Sequence, residues 1–210
     1  MSDTMALLAS QWASQSGWEI IAVVLALAYV WLAARQNIWC WPCALVSTAI
    51  YSWLFWEHTL PLQTVLNVYY LGMAVYGWWH WRALANNDND NGEKEVTTRP
   101  LAYHLVAVVT LLLISILLAG VLRPYFNAQF LYVDALVTVF SLFTTYLVTQ
   151  KVLENWLYWI VINMLAAWLY WQSGLLLTAV LFLGYFGFAV YGYIKWRGSY
   201  LNQSPSPYAA

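Results

Sequence analysis

The chain has 210 residues, of which 63% are hydrophobic and only 8% are charged, and its formal net charge is −1. This composition excludes an ordinary soluble domain, in which about 25% of residues are charged. A charge this close to neutral gives no reason to expect nucleic acid as a partner, and no basic patch interleaved with aromatics lies outside the apolar segments.

Seven apolar runs are each long enough to cross a bilayer, whose core requires about 20 helical residues. We place these spans at residues 18–35, 38–57, 60–82, 101–122, 131–150, 154–172 and 175–196. The longest polar stretch between them, residues 85–100, has the composition of a solvated, flexible linker. The sequence therefore predicts an all-α membrane protein with seven transmembrane helices.

Basic residues fall almost entirely on one side of the predicted membrane. Following the spans in order, that side receives Arg35, Arg82, Lys94, Arg99, Lys151, Lys195 and Arg197. Only Arg123 falls on the other side. The positive-inside rule then predicts an N-terminus outside the cell and a cytoplasmic C-terminus. Residues 1–17 show neither a basic n-region nor a cleavage site, so we expect the first span to direct the chain to the membrane.

The sequence predicts neither a metal site nor a cofactor. Cys40-Trp-Pro-Cys43 has the spacing of a redox motif, but no βαβ pattern surrounds it and no histidine is nearby to complete a metal site. We interpret both cysteines as small apolar packing residues. No nucleophile–base arrangement and no phosphate-binding loop is present, so we do not expect an enzyme.

The third and seventh spans end in matching sequences. Ala74-Val-Tyr-Gly-Trp-Trp-His-Trp-Arg82 and Ala189-Val-Tyr-Gly-Tyr-Ile-Lys-Trp-Arg197 are offset by 115 residues, and the same offset pairs Trp41 with Trp156. We therefore predict two parallel three-helix units, related by an axis along the membrane normal and joined by the fourth span. The corresponding divisions are residues 1–84, 85–130, 131–197 and 198–210.

The sixth span has polar and aromatic residues on one helical face. Trp156, Trp159 and Asn163 are spaced at i, i+3 and i+7, so they share that face. Two flat aromatics and an amide suit a flat heteroaromatic ligand. The alternative is that the tryptophans belong to an interfacial aromatic belt and that Asn163 only bonds a neighbouring helix.

Other polar residues could contribute to the same path. Gln63 and Asn67 lie within the third span, and Asn67 and Asn163 are both near the membrane midplane, where a transporter binds its substrate. Bonding between helices is the alternative for both. Glu19 and Asp134, also 115 residues apart, stand at the outer mouth, where they could concentrate a cation. Their alternative role is that of solvated acids at helix starts, favoured by the helix dipole.

The segment Lys151-Val-Leu-Glu-Asn-Trp-Leu-Tyr-Trp-Ile-Val-Ile-Asn163, with the Tyr-Gly-Trp-Trp-x-Trp end of the third span, resembles the PnuC family of vitamin transporters. The resemblance implies a SWEET-like arrangement of three, one and three helices in a bacterial inner membrane. It also implies facilitated diffusion of nicotinamide riboside, which a cytosolic kinase then traps. Trp156, Trp159 and Asn163 are implied substrate contacts.

Several alternatives remain at this stage. The PnuT branch of the family is implied to carry thiamine, and other members riboflavin. Nicotinamide riboside and thiamine are both flat cations that could stack on tryptophan, whereas riboflavin is neutral and suits an acidic mouth least. A seven-helix binding or sensory module is a different class, but it needs no internal repeat. The layout is also compatible with a homo-oligomer.

Overall fold

Helices account for nearly all of the residues that the structure describes. The computed structural model describes residues 2–13, 15–57, 61–87, 95–125 and 130–203. Within these ranges it contains eight helices: α1 (Ser2–Ala13), α2 (Gly17–Ala34), α3 (Cys40–Glu57), α4 (Pro61–Asn87), α5 (Leu101–Leu122), α6 (Leu131–Thr149), α7 (Asn155–Gln172) and α8 (Leu176–Gln203). Helices α2 to α8 overlap the seven predicted spans in order, so the all-α prediction is confirmed.

Helix α1 has no counterpart among the predicted elements, since the sequence analysis placed no helix before residue 18. Its 12 residues are too few to cross a bilayer. The Gln11 side chain donates to the carbonyl of Gly174 at 2.9 Å and accepts from the N–H of Leu177 at 3.0 Å. Gln11 thereby attaches α1 to the turn between α7 and α8 and satisfies one of the free N–H groups at the start of α8.

Four of the described helices, α2, α5, α6 and α8, are long and apolar enough to cross a membrane. The other long helices, α3, α4 and α7, contain 18, 27 and 18 residues but are richer in aromatic and amide side chains. Helix α7, for example, contains four tryptophans and two tyrosines. Such residues suit membrane interfaces and packed interiors, and they lower the mean hydropathy of a helix.

The long helices other than α5 pack as two similar three-helix units. In the first unit (α2–α4), α2 packs on α3 and α3 packs on α4; in the second unit (α6–α8), α6 packs on α7 and α7 packs on α8. The two units meet at an α2–α8 interface and an α4–α6 interface, and α5 packs against α6. Each of these contacts within and between the units has a counterpart under the 115-residue offset.

Trp41 and Trp156 occupy matching positions in the two units. Both indoles are buried, at 1% and 2% exposure. Trp41 lies against Gly77 of α4, and Trp156 lies against Gly192 of α8, so a Cβ at these glycines would stand 2.5 and 2.7 Å from the respective rings. Both positions require glycine because a larger residue would overlap the ring. The offset read from the sequence therefore also describes how the units pack.

A second pair of tryptophans joins the units to each other. The indole N–H of Trp81 in α4 donates to the carbonyl of Thr149 in α6 at 3.1 Å. The indole N–H of Trp196 in α8 donates to the carbonyl of Ala33 in α2, also at 3.1 Å. Both bonds cross from one unit to the other at the last turn of a helix. The two interfaces are thus held by the same kind of interaction.

The turns after α2 and α6 also match. Gln36 and Lys151 have φ values of 57° and 52°, which non-glycine residues adopt rarely. The Lys151 ammonium donates to the Gln36 side-chain carbonyl at 3.2 Å and lies 4.8 Å from the centroid of the Trp81 ring. Since Lys151 is only 4% exposed, a cation is buried where the two units meet. We call this side of the bundle the Lys151 end and the opposite side the Asp134 end.

Residues 95–100, the last residues of the predicted linker, are exposed except for Val96. Val96 is buried, and Thr97 forms a β-bridge with Val152. The N–H of Thr97 donates to the carbonyl of Lys151 at 3.0 Å, and the N–H of Leu153 donates to the carbonyl of Thr97 at 2.8 Å. These bonds attach the exposed segment to the Lys151 end at Thr97. Residues 88–94 and 204–210, in the rest of the linker and in the predicted tail, lie outside the described residues.

Candidate functional site

The buried face of α7 includes the three residues that the spacing placed together. Trp156 and Asn163 are buried, and Trp159 between them is half-buried. Residues Asn155, Ile162 and Ala166 complete this buried face. The face is directed into the bundle, because α7 packs on both α6 and α8.

Trp156 is enclosed by α8. One side of its ring lies against Gly192, and Trp196 meets it edge-on with ring centroids 5.4 Å apart and an interplanar angle of 85°. Its indole N–H has no hydrogen-bond partner among the residues that the structure describes. In this conformation Trp156 is a packing residue of the second unit, since its ring face is covered.

Trp159 is in a different environment. It packs against the buried cluster at the Lys151 end, which includes Trp41 and Trp156, and against a second cluster that includes Phe140 and Ile162. Although it lies in the middle of the buried face of α7, Trp159 itself is only half-buried. A half-buried indole on a buried face leaves part of its ring free for contact with another group.

Asn163 lies one turn further along α7. Its side chain is 4% exposed. A buried amide is costly unless it forms hydrogen bonds, yet within the described part of the chain its amide group has none. Asn163 therefore has donor and acceptor capacity available next to Trp159.

The polar residues of α4 lie at the interface with the second unit. Asn67 is buried, and Tyr70, three residues further along α4, lies close to Ser141 of α6. Tyr69 donates to the carbonyl of Leu142, also in α6, at 3.2 Å. Gln63 lies in the first turn of α4, and its side chain is outside the described residues.

The two acids predicted at the outer mouth both start helices at the Asp134 end. Glu19 forms a capping box with Ser16: the N–H of Ser16 donates to the Glu19 carboxylate at 2.6 Å, and the N–H of Glu19 donates to the Ser16 hydroxyl at 3.2 Å. Asp134 lies half-buried in the first turn of α6. The helix-start role thus describes Glu19, and the mouth role of both acids stays a prediction.

The sequence analysis did not single out Lys151, Gln36 or Tyr70 as interior polar groups. Lys151 was counted as a loop cation, yet it is buried between the units. The signal was present in the repeat: Lys151 stands 115 residues after Gln36, and Tyr185 stands 115 residues after Tyr70. Among the described residues no group of three or more histidines, cysteines and acids is arranged to hold a metal ion.

Two open grooves on the bundle lie away from the buried face of α7. One, of about 550 Å³, runs between α2 and α8. The other, of about 520 Å³, lies on α5 beside Phe143 of α6. Neither includes Trp159, Asn163 or Asn67 in its lining.

A helical bundle with four membrane-length apolar helices, matched units and polar groups buried between them defines a multi-pass membrane protein. Residues 16–198 match the family described as "Nicotinamide mononucleotide transporter". Because the match covers most of its length, the chain belongs to this transporter family. The predicted resemblance is confirmed, and the chain belongs among transporters and not enzymes.

Characterised relatives point to the same family. The chain is 22% identical over 169 residues to the "Nicotinamide riboside transporter PnuC" of Escherichia coli (strain K12), covering 70% of this chain and 71% of that protein. The protein of the same name from Shigella flexneri matches with the same figures.

A solved structure described as the "Crystal structure of the Vitamin B3 transporter PnuC" has a similar fold. It superposes with a TM-score of 0.71 at 21% sequence identity, covering 96% of this chain and 91% of that one. At this identity the similarity establishes the fold. The multi-pass membrane prediction therefore rests on the family, the fold and the apolar helices together.

Proposed function

We propose that the chain is a facilitated-diffusion transporter of nicotinamide riboside in a bacterial inner membrane. In this proposal α2 to α8 are seven transmembrane helices, arranged as two parallel three-helix units joined by α5. Supporting this arrangement, the Trp41–Gly77 and Trp156–Gly192 contacts repeat at an offset of 115 residues. Substrate would pass between the units, where the polar side chains of α4 and α7 lie.

The observation that carries the proposed site is the partly free Trp159 ring beside the buried Asn163 amide. A cationic nicotinamide ring stacked on an indole in a desolvated site gains about 2 kcal/mol or more. Asn163 would bond a polar group of the substrate, with Asn67 and Gln63 contributing from α4. Trp156 would position this face from its fixed place against Gly192.

The riboside fits this site better than its phosphorylated form. Among the described lysines and arginines, Lys151 is the one that is buried. It lies at the end of the bundle named after it, where its ammonium donates to Gln36 and stands over the Trp81 ring. A phosphate would need arginine or lysine partners along the path, because an uncompensated anion is costly to bury. Thiamine is the second candidate, since it is also a flat cation that Trp159 could stack on.

The proposed topology places the Lys151 end in the cytoplasm, following the basic residues. Glu19 and Asp134 would then face the outside, where their charge could attract a cationic vitamin. A cytosolic kinase would trap the transported riboside. Passive transport is the simplest mechanism, because the ion pair found among the described residues, His104 with Glu154, lies at the Lys151 end on α5 and the start of α7 and not between the two units.

Transport assays in proteoliposomes that contain no kinase test the proposal. We expect labelled nicotinamide riboside to equilibrate across the membrane and to show counterflow, with thiamine as a competing substrate and nicotinamide mononucleotide excluded. Accumulation driven by a sodium or proton gradient would contradict passive transport. Counterflow of the mononucleotide or of thiamine, but not of the riboside, would contradict the proposed substrate.

A further inference from the structure

The groove between α2 and α8 includes none of the residues of the proposed substrate site in its lining. Its volume is about 550 Å³, and it is lined by Trp31, Arg35, Gly184, Gly187, Phe188 and Tyr191. Both helices are among those long and apolar enough to cross a membrane. The groove therefore opens towards the lipid phase, and it has an arginine at the Lys151 end.

The α4–α6 interface differs from the α2–α8 interface at the position of Gly184. The residue equivalent to Gly184 in the first unit is Tyr69, whose hydroxyl donates to the carbonyl of Leu142 at 3.2 Å. At Gly184 a Cβ would meet nothing within 4 Å, and the same holds at Gly187. Gly184 thus leaves a space open in the α2–α8 interface. At the equivalent position, the α4–α6 interface has the side chain of Tyr69.

The polar end of the groove also differs between the two interfaces. The residue equivalent to Arg35 is Gln150, which donates to the hydroxyl of Tyr76 at 3.1 Å. Arg35 instead stacks on Trp31, with its guanidinium carbon 4.0 Å from the ring centroid. Among the described residues, the structure has one ion pair, between His104 and Glu154. Arg35 therefore has no carboxylate partner within this part of the chain.

A second cation lies near the same end of the groove. The ammonium of Lys195 stands 5.9 Å from the ring centroid of Tyr191, which lines the groove. Arg35 and Lys195 have no carboxylate partner among the described residues. Two such cations, next to aromatic rings at the end of an apolar groove, complement a phosphate group with an attached hydrocarbon chain. Basic pockets between transmembrane helices bind anionic headgroups in this way, and arginine favours phosphate through its planar donors.

We infer that this groove binds one anionic phospholipid. Its phosphate would lie between Arg35 and Lys195, and one acyl chain would follow α8 past Gly187 and Gly184. These groove positions on α8, from Tyr191 to Gly184, cover roughly 10 Å of helix, which suits part of an acyl chain. A zwitterionic lipid would bind more weakly, because its own ammonium competes for the phosphate.

Native mass spectrometry of delipidated protein tests this inference. The protein is titrated with equal amounts of phosphatidylglycerol and phosphatidylcholine, and the lipid adducts of each chain are counted. We compare Arg35→Gln, Gly184→Tyr, which copies the tyrosine of the opposite interface, and Arg82→Gln, an exposed cation at the same end, as the control. The wild type should retain one phosphatidylglycerol in preference to phosphatidylcholine.

The variants separate headgroup binding from general attraction of lipid. Arg35→Gln should reduce the anionic adduct about fivefold, as expected for one interfacial cation. Gly184→Tyr should remove it by filling the groove, and Arg82→Gln should leave it unchanged. Equal losses in Arg35→Gln and Arg82→Gln, or equal binding of both lipids by the wild type, would overturn the inference. If Gly184→Tyr dissociated an oligomer without changing the adducts, the groove would be a subunit interface instead.

Discussion

At most of the positions that α3 and α7 direct inwards, the two three-helix units have different residues, so the few residues they share indicate what the packing requires. Trp41 and Trp156 are equivalent, and each lies on a glycine. One turn further along, Trp159 in α7 corresponds to Ala44 in α3. The packing thus requires a tryptophan in both units at the position of Trp41 and Trp156. At the position of Ala44 and Trp159, only the second unit has a tryptophan.

The same contrast recurs at Asn163. Its counterpart in the first unit is Thr48, whose hydroxyl donates to the carbonyl of Ala44 at 2.7 Å and so satisfies itself within its own helix. The described residues provide no such partner for Asn163. The tryptophan that both units share serves their packing, whereas the Asn163 amide, which α7 has alone, is available for a ligand. This comparison makes Trp159 and Asn163 the centre of the proposed site.

The largest effect should come from removing the shared tryptophans. We expect Trp41→Ala and Trp156→Ala each to destabilise the protein by about 3–5 kcal/mol, because each leaves a cavity against a glycine where no side chain can fill it. Thermal unfolding in detergent would show similar losses for the two variants. A large loss of stability for one and none for the other would break the equivalence of the units.

The glycines beneath these rings should be nearly as sensitive. Gly77→Ala and Gly192→Ala each place a methyl group within van der Waals overlap of an indole. Overpacking of this kind costs about 1–3 kcal/mol. Gly72→Ala, where a Cβ would meet nothing within 4 Å, is the matched control in α4 and should leave the unfolding temperature unchanged. Tolerance of alanine at both Gly77 and Gly192 would show that the packing is looser than described.

Smaller effects should distinguish the non-equivalent polar pair. Asn163→Leu should weaken riboside binding by on the order of 1 kcal/mol, about fivefold, by leaving a polar substrate group unpaired. Thr48→Val removes only a bond within its own helix and should leave affinity unchanged. Affinity for the riboside is measured by titration calorimetry on both variants. Equal losses in the two would assign Asn163 to helix packing.

Much of this fold could be predicted from the sequence because apolar run length and the 115-residue offset are direct consequences of the membrane and of the repeat. Helix α1 could not, since it is short and Gln11 attaches it through contacts to Gly174 and Leu177 that lie more than 160 residues away. The ordered segment around Val96 was missed for the same reason: its partners are at Val152 and Leu153.

The candidate site was predicted less completely. Helical spacing placed Trp156 and Trp159 on one face but could not distinguish their roles, since that depends on which residue of α8 faces each ring. For Trp156 that residue is Gly192, which lies against the ring and makes Trp156 a packing residue. The offset already paired Trp41 with Trp156, and applying it to Trp159 would have shown an alanine in the first unit. The repeat therefore held information about the site that the helical face alone did not.

The most direct test of the central claim is a binding titration of Trp159→Ala with nicotinamide riboside. Trp168→Ala, an exposed tryptophan of the same helix at the Asp134 end, is the control. The account predicts that Trp159→Ala loses about 1–3 kcal/mol of binding, roughly fivefold to over a hundredfold in affinity, while remaining folded. Trp168→Ala should bind as the wild type does. Unchanged affinity in a well-folded Trp159→Ala protein would contradict the assignment of function to the residue that only the second unit has.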